Sequence, residues 1–179
     1  MDKRITIGLA RDGVINKRLD GYCYTVKDFK PIPGSLESIV NLKQFNFAVV
    51  LMNAEPGIEH GMYDSYAVND VEAHISKILY QKGNVDLDAY YHSPFADPND
   101  NGRMPQTGMF RQIEREVFIS FHKGFYVGDK LEDLQGAYNF DVTPILVRTG
   151  FGKLTEERLK RPENAELAAK TKVFNDLAA

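Results

Sequence analysis

The feature that most limits how this chain can fold is a set of short apolar segments, each stopped by a loop of Gly, Asp, Asn or Pro. The first covers residues 5–9, and the second covers residues 47–52. Apolar segments of this length that end so sharply are typical of buried strands. Three more cover residues 87–91, 125–127 and 143–147, so the sequence predicts five strands.

Helical segments alternate with these strands. Residues 64–82 carry Val68, Val71 and Ile75 at three- and four-residue spacing, which is typical of an amphipathic helix. Further helices are predicted at residues 36–43, 109–117 and 131–137. Alternating strands and helices predict an α/β fold of three layers, Rossmann-like, with a central parallel sheet and helices on both faces.

Local signals refine this prediction. We expect Ser35 to cap the first helix, and Pro144 to lie either at a sheet edge or at the beginning of a strand. The loop at residues 92–106 is too short to form a cap domain, and no linker or repeat divides the 179 residues. We therefore expect one domain, residues 1–179, with an open site at the carboxyl ends of its strands.

Composition excludes several classes of partner. The net charge of −3 argues against nucleic acid or an anionic membrane as the main partner. Cys23 is the only cysteine, so no internal disulfide can form and a reducing compartment is the simpler interpretation. No apolar run approaches the roughly 18 residues of a spanning helix, and the N-terminus lacks a secretory signal. We expect a cytoplasmic protein, and the sequence identifies no protein partner.

Three segments at strand ends carry a family likeness. They are residues 11–16 (Arg-Asp-Gly-Val-Ile-Asn), Asn53 with residues 56–58 (Pro-Gly-Ile), and residues 128–133 (Gly-Asp-Lys-Leu-Glu-Asp). Together they resemble the haloacid-dehalogenase (HAD) superfamily. Residues 22–33 and 147–150 are similar to its branch of heptose-bisphosphate and histidinol-phosphate phosphatases, so the resemblance covers most of the chain.

The resemblance implies roles for the acidic positions. In that family the first strand ends in Asp-x-Asp: the first aspartate attacks phosphorus, and the second protonates the leaving oxygen and later activates water. The second is Asp12 here, but the first position holds Ala10, whose methyl group can neither attack phosphorus nor bind a metal. Asp129 matches the acid that binds magnesium with the nucleophile and a backbone carbonyl, and Asp133 is a further metal candidate.

The resemblance also implies phosphate contacts and cofactors. The candidates for binding phosphate or substrate are Arg11, Asn53, Arg103 and Lys130. Met52 stands where the family has a hydroxyl residue, and Met104 stands where it has a phosphate-holding lysine. Without a carboxylate at position 10, we expect weak magnesium binding, millimolar at best. The branch's zinc loop uses cysteines, and the matching stretch from His92 has none, so we expect no zinc.

Three functions stay open at this point. The first is a catalytically impaired pseudo-phosphatase that still binds phosphate or a sugar phosphate. The second is an active sugar-bisphosphate phosphatase whose nucleophile was replaced by Ala10, or which uses an unusual set of residues. The third is an interaction or assembly protein with a vestigial pocket. Because three phosphate-contacting positions are altered together, we favour the first and expect HAD-type phosphomonoester hydrolysis to be lost.

Overall fold

The apolar segments form one six-stranded parallel sheet in the computed structural model, which describes residues 4–179. The strands are β1 (Thr6–Leu9), β2 (Ala48–Ala54), β3 (Ala89–Ser93), β4 (Phe125–Gly128), β5 (Thr143–Val147) and β6 (Lys172–Phe174). All of β1 is buried, as is β2 except for its last residue. Strands buried on both faces read as continuous apolar runs, which is why the sequence signal for these two was strong.

The strand order is β3-β2-β1-β4-β5-β6, with every neighbouring pair parallel. The chain therefore builds outward from β1 to β3 and then returns to the other side of β1 for β4 to β6. The strand order reverses between β1 and β4, and in open parallel sheets ligands bind just beyond the carboxyl ends of the strands at such a switch point. The topology alone directs attention to the loops that follow β1 and β4.

Residues 4–179 contain six α-helices: α1 (Ser35–Gln44), α2 (Ser65–Gly83), α3 (Gly108–Val117), α4 (Leu131–Asn139), α5 (Gly152–Leu159) and α6 (Ala165–Lys170). Helix α1 packs against α2 and β2, whereas α4 packs against β4 and β5 and contacts α5 and α6. The predicted α/β Rossmann-like fold is confirmed, and no large cap interrupts it within the described residues.

The core lies on both sides of the central strands and is aromatic beneath β4. The ring of Phe110 is fully buried and meets Phe121, Tyr126 and Phe140 at centroid distances of 5.0, 5.5 and 5.0 Å. Edge-to-face and stacked aromatic pairs at these separations are favourable beyond the area they bury. This packing holds α3 against β4 and so fixes the strand end that carries part of the site.

Several predicted boundaries need correction. Strand β2 continues through Asn53 to Ala54, so Asn53 is a strand residue and does not lie in the following loop. Strand β3 covers Ala89–Ser93, two residues later than predicted. Strand β6, which pairs with β5, was not predicted, because its three residues are half-buried or exposed and carry no apolar run.

Two local predictions also change. The residue that caps α1 is Gly34, at φ 82°, and Ser35 is the first helical residue; its hydroxyl donates to the Ile15 carbonyl at 3.0 Å. Pro144 is the second residue of β5, which lies between β4 and β6. The strand-beginning interpretation of this proline is therefore confirmed, and the edge interpretation is wrong.

Within the described range 4–179, no helix combines the length and the apolar character that crossing a membrane requires.

Candidate functional site

A small cavity of ≈ 150 Å³ lies at the carboxyl ends of the central strands. Seven of the predicted site residues line it: Ala10, Arg11, Asp12, Asn53, Arg103, Lys130 and Asp133. Binding sites for drug-sized ligands are typically about 300–1,000 Å³. The cavity therefore suits a group of phosphate size, with the rest of a larger ligand outside it.

The floor of the cavity is apolar where the family has reactive or polar groups. Ala10 follows β1 directly, is 9% exposed, and its backbone N–H donates to the Val127 carbonyl at 3.0 Å. Met52 and Met104 also line the cavity, and Met52 is 2% exposed. None of these three side chains can donate a hydrogen bond, attack phosphorus or carry charge.

Asp12 is held by neighbours on its own loop. Its Oδ1 accepts from Asn16 Nδ2 at 2.8 Å and from Arg11 Nε at 3.3 Å, and its Oδ2 accepts from Arg11 Nη2 at 2.9 Å. The carboxylate is about a quarter exposed, so it can face a ligand or water in the cavity. A carboxylate fixed in this way can accept or deliver a proton at a defined place.

Arg11 forms a buried charge cluster with a residue that the sequence analysis missed, Glu55. Arg11 and Glu55 are each 1% exposed, and Arg11 Nη1 lies 2.8 Å from Glu55 Oε1, in ion-pair contact but outside hydrogen-bonding geometry. Tyr63 donates its hydroxyl to Glu55 Oε2 at 2.7 Å. Burial raises the pKa of Glu55, and the charge of Arg11 opposes that rise. With its guanidinium committed to two carboxylates, Arg11 serves mainly to hold the loop.

Asp129 lies beneath the cavity, fully buried, and pairs with a second residue that the sequence analysis missed, Arg18. Asp129 Oδ2 accepts from Arg18 Nε at 2.9 Å, and Oδ1 accepts from Arg18 Nη2 at 2.7 Å. The same Nη2 donates to the Asp12 carbonyl at 2.7 Å. This is the two-pronged geometry in which a guanidinium binds a carboxylate most strongly.

The surrounding backbone is built tightly around Asp129. The Phe151 N–H donates to Asp129 Oδ2 at 2.8 Å, and the Thr155 hydroxyl donates to the Asp129 carbonyl at 2.7 Å. Gly13, at φ 90°, and Gly150, at φ 57°, both lie against the carboxylate. A Cβ at either glycine would lie 2.1 or 2.2 Å from Asp129 Oδ2, so only glycine fits there.

These contacts do not fit a magnesium ion. Mg²⁺ demands near-octahedral oxygen ligands at about 2.0–2.1 Å and is normally held by one or two carboxylates. Position 10 supplies no carboxylate, and the Arg18 guanidinium lies on both oxygens of Asp129. Within residues 4–179, no group of three or more His, Cys, Asp or Glu side chains is arranged to hold a metal.

The remaining predicted residues stand at the rim and wall of the cavity. Asn53 Oδ1 accepts from the Arg11 N–H at 3.0 Å, and its Nδ2 is buried with no hydrogen-bond partner among the described residues. Arg103 Nη1 donates to the Phe95 carbonyl at 2.7 Å. Lys130 precedes α4, and its backbone N–H donates to Asp133 Oδ2 at 3.2 Å. The unpartnered amide of Asn53 and the side chain of Lys130 are donors that an anion in the cavity could use.

The two missed residues differ in how well sequence could have revealed them. Arg18 lies 111 positions from Asp129, in a loop whose composition gives no sign of a long-range partner. Glu55 directly follows the second strand and lines the same cavity as Asn53, so its position at a strand end was a usable signal.

Comparison with known proteins shows that the chain is similar to one family of phosphatases. Residues 102–179 match the HAD-hydrolase-like family model. The chain is 36% identical over 173 residues to D-glycero-beta-D-manno-heptose-1,7-bisphosphate 7-phosphatase of Pseudomonas aeruginosa, covering 96% of this chain and 92% of that one. It is 35% identical over 173 residues to the enzyme of the same name from Bordetella bronchiseptica, with coverage of 96% and 92%.

Solved structures give the same result. A crystal structure of D,D-heptose 1,7-bisphosphate phosphatase from B. bronchiseptica, complexed with magnesium and phosphate, superposes with a TM-score of 0.86 at 33% identity, over 98% of this chain and 94% of that one. The corresponding phosphatase from Burkholderia thailandensis gives a TM-score of 0.70 at 27% identity, over 98% and 95%. The predicted superfamily and branch are confirmed, with likeness along almost the whole chain.

The burial of Arg11 and Glu55 leads to a prediction about stability. Glu55→Ala leaves the Arg11 charge with one carboxylate instead of two, so we expect the free energy of unfolding to fall by about 3 kcal/mol. Urea denaturation measures the change. Glu157→Ala is the control, because its ion pair with Lys160 is exposed and its removal should change the free energy of unfolding far less. Equal losses of unfolding free energy in the two variants would show that the buried Arg11–Glu55 pair stabilises the fold no more than an exposed ion pair does.

Asp133 makes a prediction about pH. Burial raises the pKa of Asp133 from its ordinary value of 3.8 to about 6, so the folded chain binds this proton more tightly than the unfolded chain. The protonated Asp133 carboxyl therefore stabilises the folded chain. This contribution is complete below the pKa that Asp133 has in the unfolded chain, and it is lost as the pH rises through the pKa that Asp133 has in the folded chain. The Asp133→Asn side chain stays neutral. Relative to the parent, the free energy of unfolding of this variant should therefore rise by roughly 1–3 kcal/mol as the pH goes from about 4 to 7. Urea denaturation across that range measures it, and parallel curves for the two proteins would contradict the raised pKa.

Proposed function

The chain belongs to the heptose-bisphosphate phosphatase family of HAD-like hydrolases, and from that premise we propose that its pocket binds a phosphorylated sugar without hydrolysing it through an aspartyl-phosphate. The relatives carry names that specify a heptose bisphosphate, and one of their structures holds phosphate. A phosphorylated sugar is therefore the ligand class that we propose for this chain.

Donors around the cavity support an anionic ligand. Asn53 Nδ2 is buried and unpartnered among the described residues, and a buried donor without a partner costs free energy until a ligand accepts its proton. Lys130 and Arg103 line the same cavity and add positive charge. A phosphate group offers several acceptor oxygens and negative charge to such donors.

The observation that carries the absence of hydrolysis is the methyl group of Ala10. The family's reaction needs a carboxylate at this position, at the end of β1, to form the covalent intermediate. Ala10 is buried, and its backbone N–H donates to the Val127 carbonyl of β4, which holds its methyl group at this position. The chain retains Asp12 at the general acid and base position but lacks the carboxylate that would attack phosphorus.

A second candidate function is an active sugar-bisphosphate phosphatase. The identity of 35–36% to named phosphatases over nearly the whole chain favours this candidate more than it favours a loss of activity. Such an enzyme would need direct attack by water, with Asp12 as the general base, because residue 10 offers no nucleophile.

A phosphatase assay separates the two candidates. We expect no phosphate release from heptose 1,7-bisphosphate, histidinol phosphate or p-nitrophenyl phosphate, with or without magnesium. Loss of a covalent nucleophile removes several orders of magnitude in rate. Turnover near the ~10 per second that is typical of enzymes, on any of these substrates, would establish the second candidate.

Thermal unfolding in the presence of the same three compounds tests binding. We expect the melting temperature to rise with ligand concentration, because a ligand that binds only the folded state stabilises it by mass action. No rise with any of the three compounds would favour the remaining alternative, an interaction or assembly protein with a vestigial pocket.

A further inference from the structure

Arg18 makes the most specific contacts in the pocket, and nothing in the family's implied chemistry accounts for them. Its guanidinium binds both oxygens of Asp129 and the carbonyl of Asp12. The ring of Phe151 lies against the guanidinium, with its centroid 4.5 Å from Cζ. The side chain is 19% exposed, so these contacts fix it in place while one side still faces the cavity.

The oxygen atoms that accept hydrogen bonds from this guanidinium are ones that the family resemblance assigns to magnesium. The resemblance places the ion among the residue-10 carboxylate, a backbone carbonyl of the same loop and the carboxylate at position 129. In this chain a cationic side chain contacts the last two, and the first is absent. We propose that the guanidinium of Arg18 is the resident cation of this pocket, which takes the place of a divalent ion on Asp129 and lets the pocket bind a phosphate group without metal.

Charge balance supports this assignment. Two carboxylates and one divalent ion sum to zero, and so do one carboxylate and one guanidinium. Removing the acid at position 10 while keeping a divalent ion would leave an excess positive charge next to the fully buried Asp129. An excess charge in a buried site is costly. The loss of the acid at position 10 and the contact of Arg18 with Asp129 together replace a carboxylate and a divalent ion by one singly charged guanidinium.

The geometry also leaves Arg18 able to contact a ligand. Its Nε and Nη2 are used by Asp129 and Asp12, whereas Nη1 makes no hydrogen bond within residues 4–179. Arg18 lines the cavity together with Asn53 and Lys130. A phosphate group in the cavity can thus accept from a guanidinium that is already fixed, which reduces the entropy cost of binding. This phosphate contact rests on the proposed function, but the assignment of Arg18 as the cation on Asp129 does not.

Magnesium titrations by calorimetry test the cation assignment. The proteins are the parent, Ala10→Asp, and Ala10→Asp combined with Arg18→Gln, which removes the charge but keeps a side chain of intermediate length. The control is Arg148→Gln, because Arg148 makes a similar two-pronged contact with Glu156 away from the pocket. We expect no magnesium binding above millimolar strength in the parent, in Ala10→Asp or in the control. The double variant should bind magnesium at least tenfold more tightly than Ala10→Asp.

Two outcomes would overturn the assignment. One is micromolar magnesium binding by the parent protein, and the other is equal affinity in Ala10→Asp and the double variant. If the double variant does not fold, the parent and Ala10→Asp titrations still decide, because the assignment requires both to bind magnesium weakly. Melting curves with and without magnesium show which variants are folded and give an independent measure of binding.

Titration with inorganic phosphate tests the contact to the ligand. We expect the parent to bind phosphate equally well in magnesium and in EDTA, Arg18→Gln to bind it roughly tenfold more weakly, and Arg148→Gln to match the parent. Phosphate binding that requires magnesium would overturn the inference. If the parent binds no phosphate in either condition, the proposed function fails, and the magnesium titrations still decide the role of Arg18.

Discussion

The carboxylate of Asp129 is fully buried at the end of β4, and an unpaired charge in such a place costs several kcal/mol. Most of the surrounding groups either compensate this charge or make room for it. Arg18 supplies the opposite charge, the Phe151 N–H supplies a third donor, and Gly13 and Gly150 allow the backbone to close over the group. Loops that follow three different strands are thereby tied to one carboxylate.

This arrangement gives the pocket a different chemistry from the one that its fold suggests. A fold provides strand ends at a switch point, but the side chains placed there decide what happens to a ligand. Here the strand ends offer a methyl group at Ala10 and a thioether at Met52, beside cationic and amide donors such as Lys130 and Asn53. Such a set can recognise an anion, and it lacks the covalent nucleophile with which the family breaks a phosphate ester.

The sequence predicted the architecture well because its signals were local. Short apolar runs ended by Gly and Asp located five of the six strands, and helical periodicity located α2. Strand β6 was missed because a three-residue edge strand carries no such run. Ser35 was misassigned as a cap because its hydroxyl bonds to Ile15, a neighbour created by the tertiary fold.

The site was predictable only in part, because some of its contacts join residues that are far apart in the sequence. Ala10, Asp12 and Asp129 follow strands, and Asn53 lies one residue before the end of β2. The topology of a parallel sheet brings these strand ends together. The partner of Asp129 is not at a strand end, and a contact between Arg18 and a residue 111 positions away leaves no local pattern. Composition likewise gave no sign that Arg11 would be buried against Glu55, since arginine is usually exposed.

The role of Arg18 is tested most directly by a crystal structure of the unmodified protein grown in millimolar magnesium and inorganic phosphate. We expect the Arg18 guanidinium on both oxygens of Asp129, a phosphate in the cavity beside Asn53 and Lys130, and no metal between Asp129 and the Asp12 carbonyl. A magnesium ion in that place, with oxygen ligands at about 2.0–2.1 Å and Arg18 turned away from Asp129, would contradict this role of Arg18.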